Sequence, residues 1–364
     1  MSDIGIIAIG RNEGERLRRC LQSALGYGHQ VVYVDSRSTD GSAEMARSMG
    51  AEVVELDMSL PFSAARARNA GFERMEAGTE FVQFVDGDCE IVDGWIQRAR
   101  NELDARPDAA VVCGRRRERF PGKSVYNRMA DLEWDTPIGD ALSSGGDAMM
   151  RVEAFAAVGG FDPSVVAGEE PELCQRLRER GWKILRLDAE MTVHDSAMWR
   201  FSQWWRRAVR GGYGAADVAS RFGPSSRHAP RAVADGTRSV PATGAHDPFT
   251  AQVRSARIWT IGWVLMIVVA FLIGWATGGW KWAALAGSLI VVIWPAQMLR
   301  IALKTRRRTA TFSDAIAYGI LTMVSKWANL VGEMQSRRDR RDGRHARLIE
   351  YKQRPTPAVP LTGP

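Results

Sequence analysis

Phe81-Val82-Gln83-Phe84-Val85-Asp86-Gly87-Asp88 decides how this chain reads. The run Phe81–Val85, broken only by Gln83, predicts a short buried β-strand. It ends in two carboxylates separated by one glycine. At a strand's carboxyl end, residues i and i+2 share a face, and a glycine admits a ligand or a second backbone. Two convergent carboxylates suit a hard divalent cation such as Mg²⁺ or Mn²⁺, and through it a diphosphate. The alternative is an Asp/Gly turn with no chemistry attached. The flanking sequence favours the site.

Working outward, the first half alternates strand and helix signals. Strands are predicted at Ile4–Ile9, Gln30–Val34, Ala51–Leu56 and Glu80–Val85, and helices at Glu13–Leu25, Gly41–Met49 and Ala64–Glu76. Such alternation implies an α/β fold: a mostly parallel sheet with helices on both faces. Sheets of this kind bind ligands beyond the strand carboxyl ends. Asp35 and Asp86 each follow directly on a strand, so both should face one crevice. Further on, a helix at Gly94–Ala105, a strand at Ala109–Gly114, a helix at Glu172–Arg180 and a strand from Trp182 to Leu187, ending near His194, complete this half. Residues 222–253, rich in Pro, Gly, Ser, Ala and Arg, read as a flexible linker.

The chain has 364 residues and a net charge of +7, with 45% hydrophobic residues, so it can bury a sizeable core. The basic character is local: residues 304–354 hold thirteen Lys and Arg against five Asp and Glu. Because these runs adjoin apolar segments, they suit anionic lipid rather than nucleic acid. Cys20, Cys89, Cys113 and Cys174 are scattered without metal-ligand or disulfide spacing. The N-terminus enters a strand directly with no signal-peptide pattern, which places this half in the cytoplasm.

Ile258–Thr277 is twenty residues without a charge, and Trp282–Leu299 adds eighteen. A bilayer crossing takes about 20 apolar residues, so spans are expected at 258–277 and 282–303. Tryptophans at 259, 275, 280, 282 and 294 suit an interfacial belt. The alternative is a buried hairpin in a soluble core. Arg254 and Arg257 precede the first span, and Lys304 and Arg306–Arg308 follow the second. Basic flanks on both sides put both termini and the N-terminal domain in the cytoplasm at the inner membrane, with Gly278–Lys281 outside. Residues 312–335 carry Asp314, Lys326 and Glu333, which favours an interfacial amphipathic helix in a basic tail (305–364) over a third span.

Taken together, the motifs resemble a family 2 glycosyltransferase of the GT-A fold with a C-terminal membrane hairpin. The resemblance covers roughly residues 4–212, with the GT-A domain at 1–221. It rests on Ile6-Ile7-Ala8-Ile9-Gly10-Arg11-Asn12-Glu13, on Val31–Asp35 with Ser36-Arg37-Ser38-Thr39-Asp40, on Ala67-Arg68-Asn69-Ala70-Gly71, and on Asp86-Gly87-Asp88 in that order. Ser144–Arg151, Gly159-Gly160-Phe161-Asp162 and Gly168-Glu169-Glu170 extend it.

The resemblance implies a nucleotide-sugar donor, UDP-linked by preference, and Mg²⁺ or Mn²⁺ as cofactor. Gly10, Arg11, Glu13, Asp35, Arg68 and Asp86 would contact the donor, and Asp88 and Asp86 the metal. His194, at a strand end, would complete the metal site or stay structural. Asp40 is better read as a helix cap, and Arg68 is equally compatible with a solvated helix face. Where the family carries Glu-Asp before a helix, with the Asp as catalytic base, this chain has Glu169-Glu170. Glu170 is therefore the expected base, although an acidic helix start would use the same residues. Gln203 and Arg206 in Gln203-Trp204-Trp205-Arg206-Arg207 loosely match a Gln/Arg/Trp motif bordering the diphosphate; an interfacial helix is the other reading.

The expected acceptor is lipid-linked or a membrane-proximal glycan, with a polyprenyl phosphate as the alternative. A nucleotidyltransferase would show a glycine-rich basic first loop, of which Gly10-Arg11-Asn12-Glu13-Gly14 is a poor version. A non-catalytic membrane- or nucleic-acid-binding protein would leave the carboxylates unexplained.

Overall fold

A computed structural model describes residues 3–27, 29–222 and 248–343. Most of the expected linker and the end of the basic tail lie outside the described residues. The first half runs β1 (Ile4–Gly10), α1 (Glu15–Leu25), β2 (Gln30–Asp35), α2 (Ser42–Met49), β3 (Glu52–Glu55), α3 (Ala64–Phe72), β4 (Phe81–Asp86), β5 (Cys89–Ile91), α4 (Trp95–Ala105) and β6 (Ala109–Glu118). It continues through α5 (Val125–Glu133), β7 (Gly139–Asp140), β8 (Ala148–Arg151), α6 (Val152–Ala157), α7 (Glu169–Glu179), β9 (Lys183–His194) and α8 (Phe201–Phe222).

The nine strands form one sheet in the order β3-β2-β1-β4-β8-β6-β9-β5, with β7 paired to β9. β3, β2, β1 and β4 are parallel, as the βαβ alternation requires. Ile4, Ile6, Ile7 and Ala8 of β1 are almost fully buried, as expected for a central parallel strand covered on both faces. Gln83 interrupts β4 without penalty, because its Oε1 accepts from Trp95 Nε1 at 2.9 Å. Beyond β4 the sheet turns mixed. The four-residue β8, not foreseen from sequence, enters antiparallel between β4 and β6. β9 runs the full length to His194 rather than stopping at Leu187, and pairs parallel with β6 and antiparallel with β5.

This topology gathers the strand ends. In the registers, Gly10 lies opposite Asp35, Ile9 opposite Asp86, Cys89 opposite His194, and Glu118 opposite His194. All four cysteines are free and buried, as their scatter implies.

The remaining helices are α9 (Pro248–Arg257), which runs through a π-helical turn at Ile258–Gly262 into α10 (Trp263–Gly278), then α11 (Trp280–Thr305) and α12 (Phe312–Arg341). Residues 248–278 and 280–308 form helices of 31 and 29 residues whose most apolar 18-residue stretches have mean hydropathy 2.2 and 1.7, long and apolar enough to cross a membrane. Only 11% of the most apolar stretch of each is buried within the protein. A soluble core hairpin would bury its apolar surface, and these helices leave Leu265, Leu272, Ile273, Leu289 and Val292 exposed.

α12 is longer than the sequence suggests and links the two halves. Glycines bring it into backbone contact: a Cβ on Gly332 would collide with Val209 O and Tyr213 N of α8, and one on Gly319 with Met298 O of α11. Small residues allow such close helix crossings. Glu333, buried on α12, accepts from Arg257 Nε at 2.8 Å and pairs with Arg337 at 2.9 Å, while Arg128 of α5 reaches Asp314 at 2.8 Å. Gly332→Val is expected to destabilise the folded protein by about 1–3 kcal/mol, the usual cost of overpacking. Thermal unfolding of the detergent-solubilised chain measures it; an unchanged midpoint would contradict the crossing described here.

Candidate active site

The crevice is built at the carboxyl ends of β1, β2 and β4. On its β2 side, Asp35 is buried and held by two donors: Tyr33 Oη at 2.9 Å and Ser38 N at 2.7 Å. It lines a cleft of about 510 Å³ with Arg37, Ser38, Glu55, Leu56 and Ser59. Asn12, at φ 55°, ties the β1 turn to the β2 loop: its Oδ1 accepts from Thr39 N at 2.7 Å and its N–H donates to Ser38 Oγ at 2.9 Å. Gly10 ends β1 beside it. Arg11 is half-buried in the same turn, and Glu13 pairs with Arg16 at 2.8 Å.

Arg68 is not on a solvated helix face. It is 2% exposed, and its guanidinium reaches Asp86 Oδ1 at 2.9 Å, Glu169 Oε1 at 3.0 Å and Glu170 Oε1 at 3.1 Å, with the Phe161 ring 5.4 Å away. Burial alone would weaken its charged form. The three carboxylates outweigh that and raise its pKa further, so the charge is permanent. Glu169 and Glu170 occupy the first turn of α7, where the helix dipole favours negative charge. Burial, then the neighbouring Glu169 charge, raises the Glu170 carboxyl above the usual carboxylate range, against the lowering pull of Arg68.

A second arginine, which the sequence did not single out, closes the other side. Arg116 Nη2 bridges Asp147 Oδ2 at 2.8 Å and Asp86 Oδ2 at 3.3 Å, and its guanidinium lies 5.6 Å from the Trp134 ring. Asp147 is fully buried: Oδ1 accepts from Asp86 N at 2.9 Å and Oδ2 from Thr192 Oγ1 at 2.6 Å. Asp86 is thus fixed by backbone and side chain alike. The glycine of Asp86-Gly87-Asp88 fits close to β1, since a Cβ there would lie 3.0 Å from Ile9 O.

Asp88 pairs with His194, whose Nε2 is 3.2 Å from Asp88 Oδ2; both are buried. Trp134 packs edge-on against the His194 ring at 4.9 Å. Burial, then the Arg116 charge, lowers the His194 pKa to about 4, so the imidazole is neutral and able to ligate a metal at neutral pH. Asp88, Cys89 and His194 bring one ligand atom each within 4.8 Å of one another. Burial holds the Cys89 thiol protonated, which leaves the oxygen and nitrogen donors that a hard cation prefers.

Gln203 and Arg206, also expected beside the donor, make contacts within the start of α8. Gln203 is buried and spends its amide on the start of α8: Oε1 accepts from Trp199 N and Arg200 N, and Nε2 donates to Ala197 O. Arg206 is exposed and donates to Ser202 O of its own helix at 3.2 Å. Arg116 and Glu118 lie past Gly114, where the sequence predicts the strand to end; β6 runs on to Glu118.

These carboxylates, arginines and histidine at the ends of such a sheet define a transferase of the GT-A fold. A mannosyltransferase of Pyrobaculum calidifontis, solved in complex with GDP-Man and Mn²⁺, shares this fold with a TM-score of 0.52 at 18% identity, over 87% of this chain and 86% of that one. The chain belongs to glycosyl transferase family 2, whose model matches residues 6–158. An uncharacterized glycosyltransferase of Mycobacterium bovis is 30% identical over 184 residues, 49% of this chain and 79% of that protein. A succinoglycan biosynthesis protein of Rhizobium meliloti is 29% identical over 181 residues, 45% of this chain and 53% of that one. The chain spans about half the length of that relative.

Gly146 sets the tightest limit on the site. A Cβ there would lie 2.7 Å from Asp86 Oδ2 and 2.9 Å from Arg68 Nη2. Gly146→Ala is expected to displace this pair and reduce sugar transfer while the protein stays folded. Turnover near the wild-type level would contradict it.

Proposed function

We propose that this protein is a membrane-anchored, metal-dependent, inverting glycosyltransferase. It moves a sugar from a nucleotide sugar, UDP-linked by preference, to a hydroxyl of a lipid-linked or membrane-proximal acceptor in cell-surface glycan or glycolipid synthesis. The observation that carries this reading is the Arg68 guanidinium, shared between Asp86 at the strand end and Glu170 at the start of α7. It joins a metal side and a base side within one crevice.

In this reading Asp35 receives the nucleobase in the cleft beside β2, with Gly10, Arg11 and Glu13 at its edge. Asp86 meets the ribose and metal side. Asp88 and His194 would hold Mn²⁺ or Mg²⁺, which when bound neutralises charge on the leaving diphosphate. Arg68 and Arg116 add fixed positive charge beside it. Glu170 takes the proton from the acceptor hydroxyl as its oxygen bonds to the anomeric carbon and the bond to the diphosphate breaks. A carboxylate with a raised pKa suits that task, because a base works best when its pKa approaches the operating pH. The Rhizobium relative, named for succinoglycan biosynthesis, supports a cell-surface glycan, and the Pyrobaculum structure with GDP-Man and Mn²⁺ supports a metal-bound nucleotide sugar. The basic segments flanking the two apolar helices support contact with anionic lipid and cytoplasmic placement of both termini.

Glu170→Gln separates the possible acceptors. For a hydroxyl acceptor, kcat should fall about 10²–10⁴-fold, the usual worth of a positioned base, with donor affinity unchanged. For an ionised polyprenyl phosphate the loss should be small. In the wild type the carboxylate must be deprotonated, so activity should fall as pH drops through its raised pKa, and this acid limb should vanish in Glu170→Gln. Full hydroxyl transfer by the variant would refute the role. Topology is tested separately: reporter fusions after Leu25 and at Pro364 should report the cytoplasmic side and an insertion at Gly279 the opposite one. Opposite sides for the two termini would refute the two-span arrangement.

A further inference from the structure

Glu118 is a buried carboxylate that the mechanism above does not use. Its side chain is 0% exposed, and it is the strand partner of His194 across β6 and β9. Oε1 accepts from Phe120 N at 3.1 Å and Asn127 Nδ2 at 3.0 Å, and Oε2 accepts from Ser196 N at 3.2 Å. Among the described residues, no Lys or Arg lies within ion-pair distance of it. The one ionisable group that does is His194, whose Nδ1 is 3.9 Å from Glu118 Oε2. That Nδ1 is itself buried and has no hydrogen-bond partner among the described residues.

We propose that Glu118 is a positioning residue for the metal centre: it holds the His194 imidazole with its proton on Nδ1, so that the Nε2 lone pair faces Asp88 and a divalent cation. This rests on the metal-centre reading of Asp88 and His194. A neutral imidazole carries one N–H. With the proton on Nε2, it donates to Asp88, and a bare Nδ1 then faces the Glu118 carboxylate, two acceptors with nothing between them. With the proton on Nδ1, the N–H points toward the Glu118 charge, and Nε2 and Asp88 both turn electron pairs toward the place of a cation. The second tautomer leaves Asp88 facing Nε2 as two acceptors, so it is favoured once a cation lies between them. The first turns a bare ring nitrogen toward the Glu118 carboxylate, whose other neighbours are neutral N–H donors. A carboxylate behind a ligating histidine both fixes the tautomer and strengthens the imidazole as a donor. The edge of Trp134 against the ring limits the alternative of turning the imidazole away.

The test is a double-mutant cycle read by calorimetric titration of the full-length, detergent-solubilised protein with Mn²⁺ alone, so that turnover is not the readout. Glu118→Gln should weaken Mn²⁺ binding about 10–100-fold, the range for loss of such a partner. If Glu118 acts through His194, adding Glu118→Gln to His194→Ala should cost nothing further. Wild-type Mn²⁺ affinity in Glu118→Gln, or losses that multiply in the double variant, would overturn the proposal. Glu118→Asp keeps the charge and should retain more affinity than Glu118→Gln; equal losses would assign Glu118 a purely structural role and also overturn it. Wild-type Mn²⁺ affinity in His194→Ala alone is a separate result: it would remove His194 from the metal centre and this inference with it.

Discussion

The buried Arg68 guanidinium is the interaction on which the rest of the site depends. A charge at 2% exposure is tolerable only if fully paired. Here the partners come from elements far apart in the chain: Asp86 from β4, and Glu169 and Glu170 from α7. The ion cluster therefore pins α3, β4 and α7 to one another. Removing any one partner leaves buried charge behind, which costs more than the pair contributes. The packing serves the same cluster: Gly146 stands where any side chain would strike Asp86 and Arg68, and Phe161 covers the guanidinium.

The site divides into two electrostatic environments. On one side, burial and the Arg116 charge keep His194 neutral beside Asp88. On the other, burial and the adjacent Glu169 push Glu170 toward the protonated form. Arg116, packed on Trp134 and bridging Asp147 and Asp86, lies at the boundary. Groups whose environments drive their pKa values apart are how one crevice could hold the proposed base and the proposed cation site without their neutralising each other.

Much of this is legible in the sequence. The alternation that predicts β1 to β4 is local, and a strand buried on both faces announces itself as a run of Ile and Val. Asp35 and Asp86 follow because they end such strands, and Asp88 because it lies two residues beyond one. The parts missed depend on pairing between distant segments. β8 is only four residues long, and nothing in Ala148–Arg151 reveals an antiparallel insertion. Arg116 and Glu118 lie in the charged extension of β6 past Gly114, which carries no apolar alternation and pairs with β9 through register shifts near Arg115. Gln203 has the composition of a ligand-binding motif, but its amide caps its own helix start, a use that sequence does not distinguish from donor contact.

α8 connects these levels. Within one turn it makes two backbone contacts of opposite destination: a Cβ on Gly214 would strike Ala167 O, just ahead of α7, and one on Gly212 would strike the Asn329 backbone of α12. Gly168, the cap of α7, is similarly pressed by Val218 of the same helix. α12 in turn packs against α11 at Gly319. Close-packed backbone has little compressibility, so a shift of the apolar helices relative to the sheet is transmitted in part through α8, on which both α12 and α9 pack, to the turn that carries Glu169 and Glu170. The side of the crevice assigned to the acceptor is therefore the side that is mechanically tied to the apolar helices. The Asp35 cleft, enclosed by β2, β3, their loops and α2, is built from the first part of the sheet and its own helix. That asymmetry is what a soluble donor and a membrane-proximal acceptor would require of one crevice.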